Sequence, residues 1–207
     1  MKLAVAKYLS IVLTKKKLQI KNLQILKSDL MNHIPTVQIR NMKLPDDIEL
    51  VRKLWTDYLT WGNETMQINY GVHPHNPKKI VEQDIKEIDR YLPPNGKVFL
   101  AFMENKVCGI GCLNNLGKEV GELKRMFVDP SFRKLGIGKA ILQSVINAAK
   151  EAGHKKLRLN TPKFMETAHS LYLGFGFKPI SAYSEVEITE DYREYLLFME
   201  LDLLRCT

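Results

Sequence analysis

The sequence predicts an α/β protein built on a mixed, mostly antiparallel sheet flanked by helices. Extended segments at residues 98–103, 107–113 and 120–128 are joined by turns too short for helical crossovers, which makes them an antiparallel meander. After Pro130 the pattern switches to a helix at 136–152 and a strand at 157–160, a strand–helix–strand unit that requires one parallel pairing. Between meander and helix lies a loop of glycines and basic residues suited to an anion.

The elements follow in order. Val37-Gln38-Ile39-Arg40 alternates apolar and polar, as a half-buried strand does. Leu44-Pro45-Asp46-Asp47 opens a helix with an acid available as its cap, and Ile48, Val51, Leu54, Trp55, Tyr58 and Leu59 recur at helical spacing. A polar loop is expected next. Pro77 then starts a second amphipathic helix carrying Ile80, Val81, Ile85, Ile88 and Tyr91, ended by Pro93-Pro94-Asn95-Gly96. Within the meander, Gly109 and Gly111 share a face, and so, by the two-residue period, do Cys108 and Cys112. The helix after the loop buries Ile137, Ile141, Val145 and Ala148 and stops at Gly153. A short helix at 164–173 and strands at 176–180 and 195–201 complete the chain.

Composition sets limits on function. The chain has 207 residues, 45% hydrophobic and 26% charged, enough for one core without metal or disulfides. No window approaches the ~18 consecutive apolar residues of a membrane span. The formal charge is +8, but residues 1–35 alone carry +6, with seven lysines against Asp29, so the remainder is close to neutral. We expect residues 1–35 to be a basic extension outside the core and 36–207 to be the functional domain. The extension fits a surface helix, a disordered arm, or sequence upstream of the true start, with Met31 as an alternative initiator. Cys108, Cys112 and Cys206 are odd in number and lack metal or disulfide spacing, so they read as buried free thiols of a reducing cytoplasm, and no metal is expected.

The loop Arg133-Lys134-Leu135-Gly136-Ile137-Gly138-Lys139 is an anion cradle. The first amides of a helix lack internal partners, the helix dipole is positive there, and glycines let an anion approach the backbone. Two familiar phosphate motifs fail. A dinucleotide fingerprint needs Gly or Ala where Ile141 stands, and a P-loop needs Gly at Arg133 and Ser or Thr at Ala140. A tight helix entry with no ligand would also use Gly136 and Gly138.

Two stretches carry a family resemblance. Arg133-x-x-Gly136-x-Gly138, preceded by Val128-x-Pro130, and Ala168-x-x-Leu171-Tyr172-x-x-x-Gly176-Phe177 resemble, in this order, the cofactor-loop and later motifs of the GNAT N-acetyltransferase superfamily. The resemblance implies that family's acyl-CoA acyltransferase fold, with about seven strands splayed between the fourth and fifth. It implies acetyl-CoA as cosubstrate and acetyl transfer to a primary amine of a small molecule or peptide, in a ternary complex. The amides of Arg133 to Lys139 would hold the pyrophosphate, and the backbone of Met126, Phe127 and Val128 the pantetheine arm. Where many relatives carry a cofactor-touching Asn this chain has Met165, and Asn160 is a substitute or the start of a turn. The partners implied are the amine substrate and, at most, a second copy of the chain; neither nucleic acid nor membrane is expected.

An amine of pKa ~10.4 is protonated at neutral pH, so transfer needs a base. Glu122, on the strand entering the loop, is the candidate, in the register where the resemblance places a strand-four glutamate base; it reads as sharing a face with Lys124 and Met126, and a plain pairing with Lys124, Arg125 or a neighbouring strand is the alternative. The resemblance places Tyr172 against the CoA sulfur as the acid, the alternative being a core aromatic. The acceptor is expected over the first two helices, where Trp55, Tyr58, Trp61, Tyr70, His73 and His75 cluster as a pocket wall, a lid or plain core. Two other functions fit the residues: an acyl-CoA sensor without turnover, and a binding module acting through the basic residues 1–30.

Overall fold

The computed structural model describes residues 20–21, 36–73, 76–185 and 190–204. The chain divides by contact into Met1–Thr36 and Val37–Thr207. The expectations placed on residues 1–35, and those on His75 and Cys206, lie outside the described residues.

The second unit is one seven-stranded sheet in the order β1-β2-β3-β4-β5-β7-β6. The strands are β1 (Val37–Asn41), β2 (Gly96–Met103), β3 (Lys106–Asn115), β4 (Val120–Val128), β5 (Lys156–Pro162), β6 (Lys178–Ile180) and β7 (Leu196–Asp202). Neighbours are antiparallel except β4 and β5, which are joined through a helix and run parallel. One face carries α1 (Ile48–Tyr70) and α2 (Pro77–Lys86), whose Val51, Leu54, Trp55, Leu59 and Val81 pack on Leu100, Ile110 and Phe127. The other carries α3 (Ile137–Glu151) and α4 (Glu166–Gly174), with Leu142, Val145, Ala149 and Tyr172 over Leu123, Leu157 and Met199. A short α5 (Glu190–Arg193) precedes the last strand.

The structure alters four local expectations. First, α1 does not end near Leu59 but runs to Tyr70, where Gly71 at φ 71° closes it by donating to the Gln67 carbonyl. Polar Gly62, Asn63 and Asn69 suggested a loop, yet Leu59, Asn63 and Met66 are buried at helical spacing. Second, Asp47 stands at the cap position of α1 but makes no cap bond; it accepts from Arg40 on β1, at 2.5 and 2.8 Å, and from the Lys43 amide.

Third, Cys108 and Cys112 are buried thiols on opposite faces: Cys108 lies with Ile137 and Ile141, Cys112 with Trp55 and Ile110. The β2–β3 register slips at Cys108, because Ala101 faces Gly109 and Phe102 faces Val107, and one extra residue reverses the alternation. Burial pushes the Cys112 thiol up to about 12. Fourth, the same device acts on β4. Ile110 pairs with Phe127 and Cys112 with Lys124, so Gly111 faces both Arg125 and Met126. Arg125 adopts φ 52° at this bulge, and Met126 turns away from Lys124 to pack with Ile137 and Ile141. The shared face expected for Glu122, Lys124 and Met126 therefore stops at Lys124.

Gly109 and Gly111 let α3 lie directly on β3. A methyl on Gly109 would sit 2.9 Å from Ile141 Cδ1, and one on Gly111 would overlap Ile141 Cγ2. Gly111→Ala is expected to cost about 1–3 kcal/mol through overpacking, read as a lower midpoint in denaturant at unchanged slope.

Candidate functional site

Only Val120, Gly121 and Glu122 of β4 pair with β5, opposite Lys156, Leu157 and Arg158. From Leu123 onward the two strands part, while β5 continues paired to β7 as far as Pro162. The bulge at Arg125 bends β4 at this place, since an extra residue increases local twist and curvature. A V-shaped opening with unpaired strand edges results.

At one end of the opening, β4 feeds the glycine loop and α3. Lys134 and Gly136 have φ 65° and 80°, and Gly136 caps α3 without a side-chain bond. The first helical bond runs from the Ala140 amide to the Gly136 carbonyl at 3.1 Å. Among the described residues, the amides from Lys134 to Lys139 donate to no protein acceptor. Alternating left-handed residues ahead of a helix turn successive N–H groups inward, a nest for an anion on top of the helix dipole. The Gly138 Cα faces Met126, Leu171 and Val128, and a methyl there would make ordinary contacts with all three. Leu135 is half-exposed beside it. Arg133 donates from Nε to the Val128 carbonyl at 3.2 Å and lays its guanidinium over the Trp61 ring at 4.8 Å. Trp61 also meets Phe164 edge-on at 5.8 Å, so α1 reaches across from the β4 side to the β5 side.

Tyr172 and Glu122 approach the opening from opposite faces. Tyr172, on α4, is buried among the residues under α3, and its hydroxyl has one weak partner among the described residues, Met126 Sδ at 3.9 Å. Burial, with the Tyr58 phenol adding to it, holds its pKa far above the ordinary tyrosine value. Glu122 is fully buried, at 1% exposure. Its Oε1 accepts from the Tyr183 hydroxyl at 2.8 Å and from Asn160 Nδ2 at 3.5 Å, and Oε2 lies 3.5 Å from Lys124 Nζ. Asn160 sits inside β5 rather than at a turn. Met165 caps α4 and accepts from Thr161 Oγ1 at 3.6 Å.

Over the opening lies a cleft of about 450 Å³. Its walls include Tyr58 and Met66 of α1, Gln83 and Asp84 of α2, Lys124 and Arg125 of β4, and Asn160 and Met165 beyond the gap. Of the aromatic cluster read from the sequence, Tyr58 lines the cleft and Trp61 holds Arg133, whereas Trp55 is core against Tyr91 at 5.2 Å. Tyr70 stacks on Tyr195 at 5.0 Å, and His73 is exposed.

Three contributors escaped the sequence reading. Tyr183 comes from the loop after β6 and gives no local signal. Arg125 is one of several basic residues and is singled out only by the bulge. Asp84 did leave a trace: it falls within the Ile80, Val81, Ile85 stripe of α2, where a carboxylate does not belong unless paired. It is 4% exposed and accepts from both Arg90 and Arg125. Among the described residues no group of three or more His, Cys, Asp or Glu could hold a metal, and no helix is long and apolar enough to cross a membrane.

Known proteins share this arrangement. The sequence pattern of the acetyltransferase (GNAT) family matches residues 51–177. An uncharacterised N-acetyltransferase of Schizosaccharomyces pombe is 27% identical over 71% of this chain and 86% of its own length. N-acetylaspartate synthetase of Xenopus tropicalis is 34% identical over 47% of this chain, but the match spans 37% of that protein. An N-acetyltransferase of Dictyostelium discoideum is matched over 30% of its length. In fold, a GNAT acetyltransferase of Staphylococcus aureus superposes with a TM-score of 0.62 at 21% identity, over 81% of this chain and 99% of that one. The PaiA N-acetyltransferase of Thermoplasma acidophilum, in complex with coenzyme A, does so at 0.59 and 18%, over 81% and 99%. With the family pattern covering more than half its length, this chain belongs to the GNAT acetyltransferase family.

Proposed function

We propose that the protein is an acetyl-CoA-dependent N-acetyltransferase that acetylates a primary amine of a small molecule or peptide. The observation that carries this is the parted β4–β5 edge, which runs directly into a helix start whose amides from Lys134 to Lys139 have no protein partner among the described residues. A long cofactor with an amide-bearing arm and a diphosphate fits that geometry. The edge of Met126, Phe127 and Val128 would pair with the arm, and the nest with Arg133 would take the diphosphate. A family neighbour that is a complex with coenzyme A supports the fit.

Acetyl-CoA, when bound, would supply an activated thioester. The remaining chemistry belongs to the chain. Glu122 accepts the proton of the incoming ammonium through water, while Tyr183 and Asn160, which donate to its Oε1, orient its carboxylate. Tyr172 donates its phenolic proton to the departing thiolate from the opposite face. Burial keeps the phenol protonated, so its O–H is available to the departing sulfur.

Coenzyme A is expected to bind in calorimetry, and Arg133→Ala to weaken it about tenfold, as loss of a charge-assisted bond does. Tyr172→Phe should lower kcat by about 10²-fold with acetyl-CoA affinity unchanged, and unaltered turnover would remove it from the reaction. Glu122→Gln should lower kcat/KM at least about tenfold while coenzyme A still binds. Screening amines for coenzyme A release tests the activity itself. Coenzyme binding without release on any amine would favour a sensor.

A further inference from the structure

The cleft has a charge arrangement that the transfer chemistry does not use. Arg125 stands at the β4 bulge with a left-handed backbone, uncommon for a residue other than glycine, asparagine or aspartate. Its guanidinium is four-fifths buried and lines the cleft. Nε donates to Asp84 Oδ2 at 2.9 Å and Nη2 donates to the same oxygen, while Nη1 has no partner among the described residues. Burial works against the charge, but Asp84, with Tyr91 and Tyr58, keeps the pKa above the ordinary arginine value.

The neighbouring charges are already engaged. Asp84 Oδ1 accepts from Arg90 Nη2 at 2.8 Å, Glu87 pairs with Arg90 at 3.1 Å, and Lys124 is turned toward Glu122. Asp84 thus acts as a buried anchor, aiming a rigid fork at the cleft from one edge. Planar guanidinium edges match carboxylates. The cleft lining sets Asp84 and Glu87 against Arg90, Lys124 and Arg125, and the single positive charge left over suits one carboxylate better than a dianion such as phosphate. The opposite wall holds Asn160, in contact with Glu122, where an amine would lose its proton.

We infer that the acceptor is a zwitterionic amino acid, its amine directed toward Glu122 and its carboxylate held by Arg125. This rests on the cleft being the acceptor site of the proposed transferase. It goes further in naming the acceptor class and the residue that selects it.

The test uses the full chain, with and without coenzyme A, titrated calorimetrically with the standard α-amino acids. The same compounds are then titrated as α-amides and decarboxylated amines, and the acidic ones as side-chain amides. At least one amino acid is expected to bind at millimolar concentration or better. Losing the recognised carboxylate should weaken it about 10- to 100-fold, the worth of a hydrogen bond to a charged group. Arg125→Met should erase that preference. If this variant does not fold, Arg125→Lys should weaken the acid about tenfold and leave the amide unchanged. Amides binding as well as acids, phosphoethanolamine binding more tightly than any amino acid, no amino acid binding, or a preference intact in Arg125→Met would each overturn the inference. Absence of acetyl transfer despite a carboxylate preference would instead overturn the transferase and leave the recognition site standing.

Discussion

One extra residue in β4 organises this molecule. Strands that stayed paired along their length would leave no gap for a ligand, since each backbone amide would already have a partner. Opposite Gly111 the chain places two residues, Arg125 and Met126, and β4 leaves β5 after Glu122. The same residue reverses the alternation of side chains. Lys124 and Arg125 both face the cleft, and Met126 goes to the α3 side, where the Tyr172 hydroxyl meets it. Opening and the division of groups between its two sides therefore have a single cause. The gap is tied to the glycine loop by continuity, because the parted strand ends where the bare amides of α3 begin.

Holding such a bulge requires outside support. Arg125 is kept in its left-handed conformation by Asp84, which α2 brings against the sheet and Arg90 shares. A buried carboxylate between two guanidinium groups avoids the penalty of an unpaired charge. It also couples the helix that walls the cleft to the strand that floors it. A second tie runs through Trp61, which stacks on Arg133 and touches Phe164 beyond the gap. The helices that wall the cleft are thus tied to the sheet by an ionic contact and to the glycine loop by an aromatic one.

Much of this was legible in the chain. Short turns specified the meander, the strand–helix–strand order required one parallel pair, and Arg133, Gly136 and Gly138 marked the anion cradle, because these features act locally in sequence. The candidate Glu122 and Tyr172 were also nameable, both from family likeness, Glu122 with the help of its strand position. The far half of α1 was misjudged because Asn63 occupies a buried helical position that its composition assigns to loops. The faces of Cys108, Cys112 and Met126 were misassigned for one shared reason. A bulge is a property of pairing between two strands, and the two-residue alternation of a single strand carries no record of it.

The sequence by itself determined the order of the main elements, the family and the location of the glycine loop. These depend on periodicity, capping and glycine placement within a few residues of one another. Only the tertiary structure decided that Asp84 and Arg125 meet across 41 positions, that Tyr183 reaches Glu122 across 61, and that Tyr172 and Glu122 stand on opposite faces of one opening. Such contacts arise from how helices lie on a sheet whose strands slip in register, and that packing is written in no local stretch of the chain.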